Sequence, residues 1–323
     1  MTQPVTGKVL VTGASGFIGR ALCAHLAGLG VDYVAAVRAV AADDSRRDVS
    51  LALGDFAAAE WRDHLRGVDA IVHLAGRAHV PPTRAEAATP YIVANVHVSR
   101  RVAEAAAGAG VRRIVFASSV KVYGETSKRG RPFRTGDPDA PQGAYARSKA
   151  EAERALREIC GATGVELVIL RLPLTYGPGV KGNFLTLLDA VASGRRLPVA
   201  GITNRRSLLY VGNAVSAIEA ALSAPVGSEE AFPIADTEVV STSELATKLA
   251  YALRVSPRLF YVPPTFLRGT AALVGRGTDV GRLLDSLEVD ASGFRQLTGW
   301  SPPCSLDEGL VATAAWWRMR HAL

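Results

Sequence analysis

The sequence predicts an α/β protein built on a doubly wound parallel sheet, with a smaller, discontinuous lobe beside it. Three observations carry that expectation. Short apolar runs alternate with stretches whose apolar residues recur at helical spacing. A glycine-rich turn joins the first run to the first such stretch. After Arg171, Pro173, Gly177, Pro178, Gly179, Gly182 and Gly194 break the alternation and mark a departure from the regular sheet.

Lys8–Thr12 reads as the first strand and residues 17–29 as the first helix. Further strands are expected at Tyr33–Val37 and at residues 51–53, 70–74 and 114–117. Between the last two, residues 91–109 are rich in alanine and have helical composition. Alternation of this kind calls for right-handed crossovers and a parallel sheet. Residues 208–211 look like a strand returning to that sheet, followed by a helix over 213–224. The expected division is 1–172 plus 205–237 for the sheet domain and 173–204 plus 238–323 for the second lobe. The Trp316–Trp317 pair in the last helix reads as core or interface.

With 323 residues, 48% hydrophobic content and a mean hydropathy of +0.16, the chain has material for one large or two modest cores. The net charge of +7 suits an acidic partner, but the basic residues are scattered. The one dense run, Lys128, Arg129, Arg131 and Arg134, is interrupted by Gly130 and Pro132 and reads as a solvated loop, so nucleic acid is not expected. Cys23, Cys160 and Cys304 lie far apart, and the histidines show no metal-ligand spacing; neither disulfides nor a metal site is expected. No charged leader and no long apolar run is seen, which points to a cytoplasmic protein without membrane insertion.

The segment from Thr12 to Gly19, TGASGFIG, sits where the first strand meets the first helix. Gly13 suits the tight turn, Gly16 allows backbone N–H groups to approach a pyrophosphate, and Gly19 permits close helix-to-strand packing. Ser15, Phe17 and Ile18 complete this loop, and the helix N-terminus favours phosphate. These features predict a Rossmann-type dinucleotide site. At the end of the second strand, where an acid would bind the ribose of NAD, the chain has Arg38, which suits a 2′-phosphate; NADP(H) is therefore modestly favoured and NAD(H) remains open. Asp55, beside Phe56, could accept a bond from adenine or cap a helix.

Tyr145 and Lys149 lie four residues apart, on one helix face. Ser118 and Ser119 end a strand upstream and offer a hydroxyl to share a substrate oxygen with the phenol. An ammonium near a phenol favours phenolate and makes tyrosine usable as an acid or base.

With these motifs in place, the chain resembles the extended short-chain dehydrogenase/reductase superfamily over nearly its whole length. The resemblance rests on TGASGFIG, HLAG at 73–76, Asn95, FASSVKVYGE at 116–125, YARSK at 145–149, RLPLTYGPG at 171–179 and NRRSLLYV at 204–211. It implies Ser119, Tyr145 and Lys149 as the catalytic trio, and Leu74, Ala75, Gly76, Asn95 and Pro173 around the cofactor. The second lobe is similar to those of nucleotide-sugar epimerases, dehydratases and reductases. That likeness implies a UDP-linked sugar held by Asn183, Arg206 and Arg282, with Ser118 and Lys121 nearby, and a homodimer formed through the helices around Asn95 and Tyr145.

The family's 4,6-dehydratases carry an Asp-Glu pair after the catalytic Ser or Thr, where this chain has Val120 and Lys121. Hydride transfer at a sugar carbon remains. SSVKVYGE, GPGVKGNF and NRRSL resemble reductases that convert UDP-4-keto-6-deoxy-N-acetylglucosamine to UDP-N-acetylquinovosamine for bacterial surface glycans. A 4-keto reductase is the first expectation and a UDP-hexose 4-epimerase the second. A dinucleotide-sensing regulator and a reductase of non-sugar carbonyls are the other readings; the presence of both Tyr145 and Lys149 speaks against the regulator.

Overall fold

The computed structural model describes residues 5–40, 49–78, 89–224, 231–273, 281 and 283–321. Seven strands form one parallel sheet: β1 (Lys8–Thr12), β2 (Tyr33–Val37), β3 (Ser50–Ala52), β4 (Val68–His73), β5 (Arg113–Ser119), β6 (Glu166–Leu172) and a late strand, Ala231–Pro233. The spatial order is β3-β2-β1-β4-β5-β6 and then the late strand, so the chain reverses direction across the sheet between β1 and β4. Ligands of open α/β sheets sit at such a switch point, beyond the carboxyl ends of the strands. Register aligns those ends: Thr12 pairs with His73, and Ser119 with Leu172.

The central strands are apolar on both faces because helices cover both. Leu22 and Leu26 of α1 (Phe17–Gly28) and Ala214 and Ile218 of a later helix fill one face. A short turn, α2 (Thr89–Tyr91), leads to a π-helical segment (Ile92–His97) and then to α3 (Val98–Ala109). Residues from α3 and from α4 (Gly143–Thr163), among them Val102, Ala106, Leu156 and Cys160, fill the opposite face. The helix expected over 91–109 is thus interrupted by a wider turn that composition does not reveal.

The second lobe contains a small sheet of β7 (Leu174–Tyr176), β8 (Arg206–Tyr210) and β10 (Val239–Val240), with β9 being the Ala231–Pro233 strand already placed in the large sheet. Helices α5 (Gly182–Ala192), α7 (Thr242–Leu253) and α10 (Leu306–His321) cover it around Tyr176, Phe184, Leu188, Leu249 and Leu310. Between β8 and β9 runs α6 (Val211–Ser223), which returns to the large sheet. Helices α8 (Pro264–Leu273) and α9 (Ser292–Thr298) lie between α7 and α10 in the chain.

One expectation is corrected. The strand around 208–211 does not rejoin the large sheet: β8 pairs with β7 and β10, and the seventh place goes to β9, paired with residues 169–171 of β6. Leu208 and Leu209 are fully buried. An apolar run buried on both sides reads alike in either sheet, so only pairing decides between them. Cys23 and Cys160 are buried and Cys304 is half-buried. Lys128, Arg129 and Arg131 are exposed, as expected of a solvated loop. Trp316 and Trp317 pack against the second core, with Trp317 Nε1 donating to Asp189 at 2.7 Å.

Candidate active site

The site lies where β1, β4 and β5 end. Gly13 adopts φ +69°, and a Cβ there would come 2.8 Å from the backbone nitrogen of Ala75. At Gly19 a Cβ would strike the Gly13 carbonyl oxygen and lie 2.8 Å from Ala14 Cα. These two positions need glycine for backbone conformation and close approach respectively. Gly16 is the N-cap of α1; it brings no side-chain cap, and no acidic residue stands in the first turn. The helix N-terminus therefore keeps free N–H groups and an uncompensated positive end, as a pyrophosphate requires. The cradle fits a dinucleotide. Ser15 is exposed on the loop, Ile18 packs onto the main core, and the Phe17 ring lies 3.6 Å from the position a Cβ would take at Gly179. Arg38 is exposed just beyond β2.

The Ser119 hydroxyl lies close enough to the Tyr145 phenol to favour its ionised form. The Ser119 hydroxyl also accepts from Lys121 N at 3.3 Å, capping the short turn that follows β5. Burial pushes the Tyr145 phenol above its usual range, and the Ser119 hydroxyl opposes this. Lys149 stands one helical turn on, its Nζ donating to Ala117 O at 2.7 Å and lying 4.4 Å from the centre of the Phe116 ring. Burial lowers its pKa to about 8, against the favourable charge of Glu153. Burial is the first influence on the Tyr145 phenol, the Ser119 hydroxyl opposes it, and the Lys149 ammonium donates to the Ala117 carbonyl.

Around this trio the structure places groups that sequence reasoning missed. His73 is fully buried and bridges Thr12 Oγ1 (2.7 Å) and Ser99 Oγ (3.0 Å). Ser99 donates to Asn95 O at 2.5 Å, so it accepts from His73 Nε2–H; Nδ1 is then the acceptor for Thr12, whose oxygen accepts from Ala75 N at 3.1 Å. One tautomer satisfies the whole chain. Burial, and then the Lys149 charge, lower the His73 pKa to about 3. The signal was present in the HLAG motif but was read only as cofactor lining.

Several expected site residues turn out to be committed to the protein. Asn95 accepts from Arg77 N at 2.7 Å and donates to Arg77 O and to Ser148 Oγ, so it fastens the loop after β4 to α4 and has no amide proton left for a cofactor. Gly76 is on that loop; a Cβ there would meet Asn95 Oδ1 at 2.9 Å and Lys149 Nζ at 3.5 Å. Ser118 does not face the substrate side: successive strand residues point oppositely, and its hydroxyl donates to buried Glu153 at 2.5 Å. Asp55 caps a turn by accepting from Ala57 N while staying exposed, and Phe56 is buried against Trp61.

The remaining expected residues lie just beyond β4, β5 and β6 and in the second lobe. Leu74 and Ala75 line the loop after β4, with Leu74 N donating to Thr12 O at 3.3 Å. Pro173 is buried between β6 and β7. Lys121 pairs with Glu125 at 2.7 Å, and Glu125 also acts on Arg206, whose Nη1 donates to Asp285 O. Asn183 is exposed in the first turn of α5. Arg282 lies outside the described residues. Among the described residues no group of His, Cys, Asp and Glu is arranged to hold a metal, and no helix is long and apolar enough to cross a membrane.

A parallel sheet with a glycine cradle at its switch point and a Ser-Tyr-Lys constellation beside it defines an enzyme of the extended short-chain dehydrogenase/reductase type. The chain belongs to the NAD dependent epimerase/dehydratase family, whose model matches residues 9–235. It is 38% identical to a Vibrio cholerae protein named UDP-glucose 4-epimerase, over 95% of this chain and 94% of the relative. Its fold matches MoeE5 solved in complex with UDP-glucuronic acid and NAD, at a TM-score of 0.77 and 26% identity, covering 98% of this chain and 100% of that one. RMD from Pseudomonas aeruginosa complexed with NADPH shares the fold at a TM-score of 0.75 and 22% identity, over 98% and 100% of the two chains.

Proposed function

We propose that this protein is an NAD(P)-dependent reductase of a UDP-linked 4-keto-6-deoxy sugar, acting at C4. The observation that carries the reading is the Ser119 hydroxyl set beside the Tyr145 phenol, with Lys149 one turn away and no carboxylate in the two positions after Ser119. Val120 there is buried, and Lys121 is held by Glu125. The residues equip the site to move a proton at a carbonyl oxygen, without the acid–base pair that eliminating water demands.

A bound nicotinamide dinucleotide supplies the hydride exchanged with the sugar carbon. Tyr145 gives its proton to the sugar oxygen, while the Ser119 hydroxyl shares that oxygen and keeps the phenol aimed at it. Lys149 supplies positive charge close to the phenolate that remains. Arg206 and Asn183, with Arg282, are the residues proposed to hold the diphosphate, because guanidinium groups pair well with phosphate oxygens. Arg38 supports NADP(H), a cofactor that leaves oxidised after each turnover.

A UDP-hexose 4-epimerase is the second reading, supported by the name of the Vibrio cholerae relative. It uses the same proton-transfer residues but leaves the cofactor unchanged overall. Purified protein is mixed with UDP-4-keto-6-deoxy-N-acetylglucosamine and NADPH or NADH, nicotinamide absorbance is followed and the sugar product is identified. Oxidation of the cofactor that disappears in Tyr145→Phe is expected. Absence of oxidation, together with interconversion of UDP-glucose and UDP-galactose or their N-acetyl forms, would overturn the reductase in favour of the epimerase.

A further inference from the structure

Beside the catalytic trio, between α4 and the ends of β5 and β6, lies a buried charged cluster for which the reading above has no use. Glu153 is fully buried on α4, one helical turn beyond Lys149. Its carboxylate accepts from Ser118 Oγ at 2.5 Å, from Arg171 Nε at 3.0 Å and Nη2 at 2.6 Å, and from Arg157 at 3.4 Å. Arg171, at the end of β6, is itself held by Asp139 at 2.7 Å and lies 4.2 Å from the centre of the Tyr123 ring. Burying such a pair costs desolvation that its attraction offsets only with good geometry, and apolar residues of similar volume would serve a core as well. Stability alone is a weak reason for it to be here.

Its location suggests another reason. Ser118 immediately precedes Ser119, so the bond from Ser118 to Glu153 fixes the strand end that presents Ser119 to Tyr145. Among the described residues, the groups facing Lys149 are few. Tyr145 and Glu153 share its helix, β4 contributes neutral His73, β5 contributes the Ala117 carbonyl and the Phe116 ring, and neutral Asn95 stands across Gly76. Glu153 is the carboxylate whose charge acts on Lys149.

We propose that Glu153, held by Arg171, is a positioning residue for the reaction: it anchors the Ser118–Ser119 strand end and supplies the negative charge that faces the Lys149 ammonium. The proposal rests on the reading of Ser119, Tyr145 and Lys149 as the catalytic trio. Burial already brings Lys149 down to about 8 with Glu153 in place. Neutralising Glu153 lowers it further, and Lys149 then loses its proton within the neutral range.

The test is a pH titration of the full chain labelled with ¹³Cε-lysine, the Lys149 resonance being assigned by its loss in Lys149→Met. The midpoint is expected near 8 in the unaltered protein. In Glu153→Gln it falls by about one pH unit, the loss expected on removing a nearby opposite charge. Glu153→Asp, which keeps the charge, retains the higher midpoint. The alkaline limb of turnover moves in step. Ser118→Ala lowers kcat by about 3–10-fold through misplacement of Ser119, with KM and the midpoint unmoved. Circular dichroism reports folding; if Glu153→Gln does not fold, Glu153→Gln with Arg171→Gln removes both buried charges and is expected to displace the midpoint in the same direction. A Lys149 midpoint identical in Glu153→Gln and the unaltered protein would overturn the proposal. Undiminished turnover in Tyr145→Phe would instead overturn the catalytic reading, and the titration would still decide the charge relation.

Discussion

Acidification should destabilise this protein through His73 in particular. The imidazole is fully buried, neutral and used at both nitrogens, and its folded pKa is near 3 against 6.5 for a free histidine. A group whose folded pKa is depressed adds stability above its unfolded pKa and loses it as pH falls below that value, because only the unfolded chain takes up the proton. The loss begins near pH 6.5 and continues toward pH 3. At about 1.4 kcal/mol per pH unit it reaches about 2 kcal/mol at pH 5. His73→Gln offers one acceptor and one donor in place of the two nitrogens and cannot titrate. Urea unfolding of both proteins at pH 7.5 and pH 5 isolates the effect: the unaltered protein should lose about 2 kcal/mol more than the variant over that interval. Equal losses would refute the reasoning. A ¹H–¹⁵N spectrum of the imidazole should also show Nε2 protonated at pH 7, since Ser99 accepts and Thr12 donates.

Two further expectations concern the cofactor site. Gly19→Ala should cost about 1–3 kcal/mol of stability, because its methyl is driven into the Gly13 carbonyl and against Ala14 Cα at 2.8 Å, and NADH affinity measured by fluorescence should fall about tenfold or more. A variant that melts and binds like the unaltered protein would show that the turn has room the geometry denies. Arg38→Glu should weaken NADPH about tenfold while changing NADH little, since a carboxylate repels a 2′-phosphate. An unchanged ratio of the two dissociation constants would remove Arg38 from cofactor selection.

Where chemistry depends on neighbours in sequence, the chain could be read directly. TGASGFIG contains its own strand end, turn and helix start, and within those eight residues the positive φ at Gly13 and the close approach of Gly19 to Gly13 and Ala14 call for glycine. Tyr145 and Lys149 share a helix face by periodicity alone. The same spacing, carried one turn further, reaches Glu153, yet nothing in the sequence tells a surface glutamate from a buried one. Its role becomes visible only when Ser118 from β5 and Arg171 from β6 are brought against it.

Long-range pairing decided the rest. The apolar run at β8 suits either sheet, and the partners that claim it, β7 and β10, lie some thirty residues away on either side (~30). Asn95 and Ser118 carry the right chemistry for a ligand, but Ser148 with the Arg77 backbone takes up one and Glu153 the other. By itself the sequence determined the fold class, the dinucleotide cradle and the catalytic helix, because these follow from local backbone geometry and helical repeat. Which polar side chains remain open to a ligand was decided by the tertiary structure, since a buried polar group must find a partner and that partner comes from a different strand or helix.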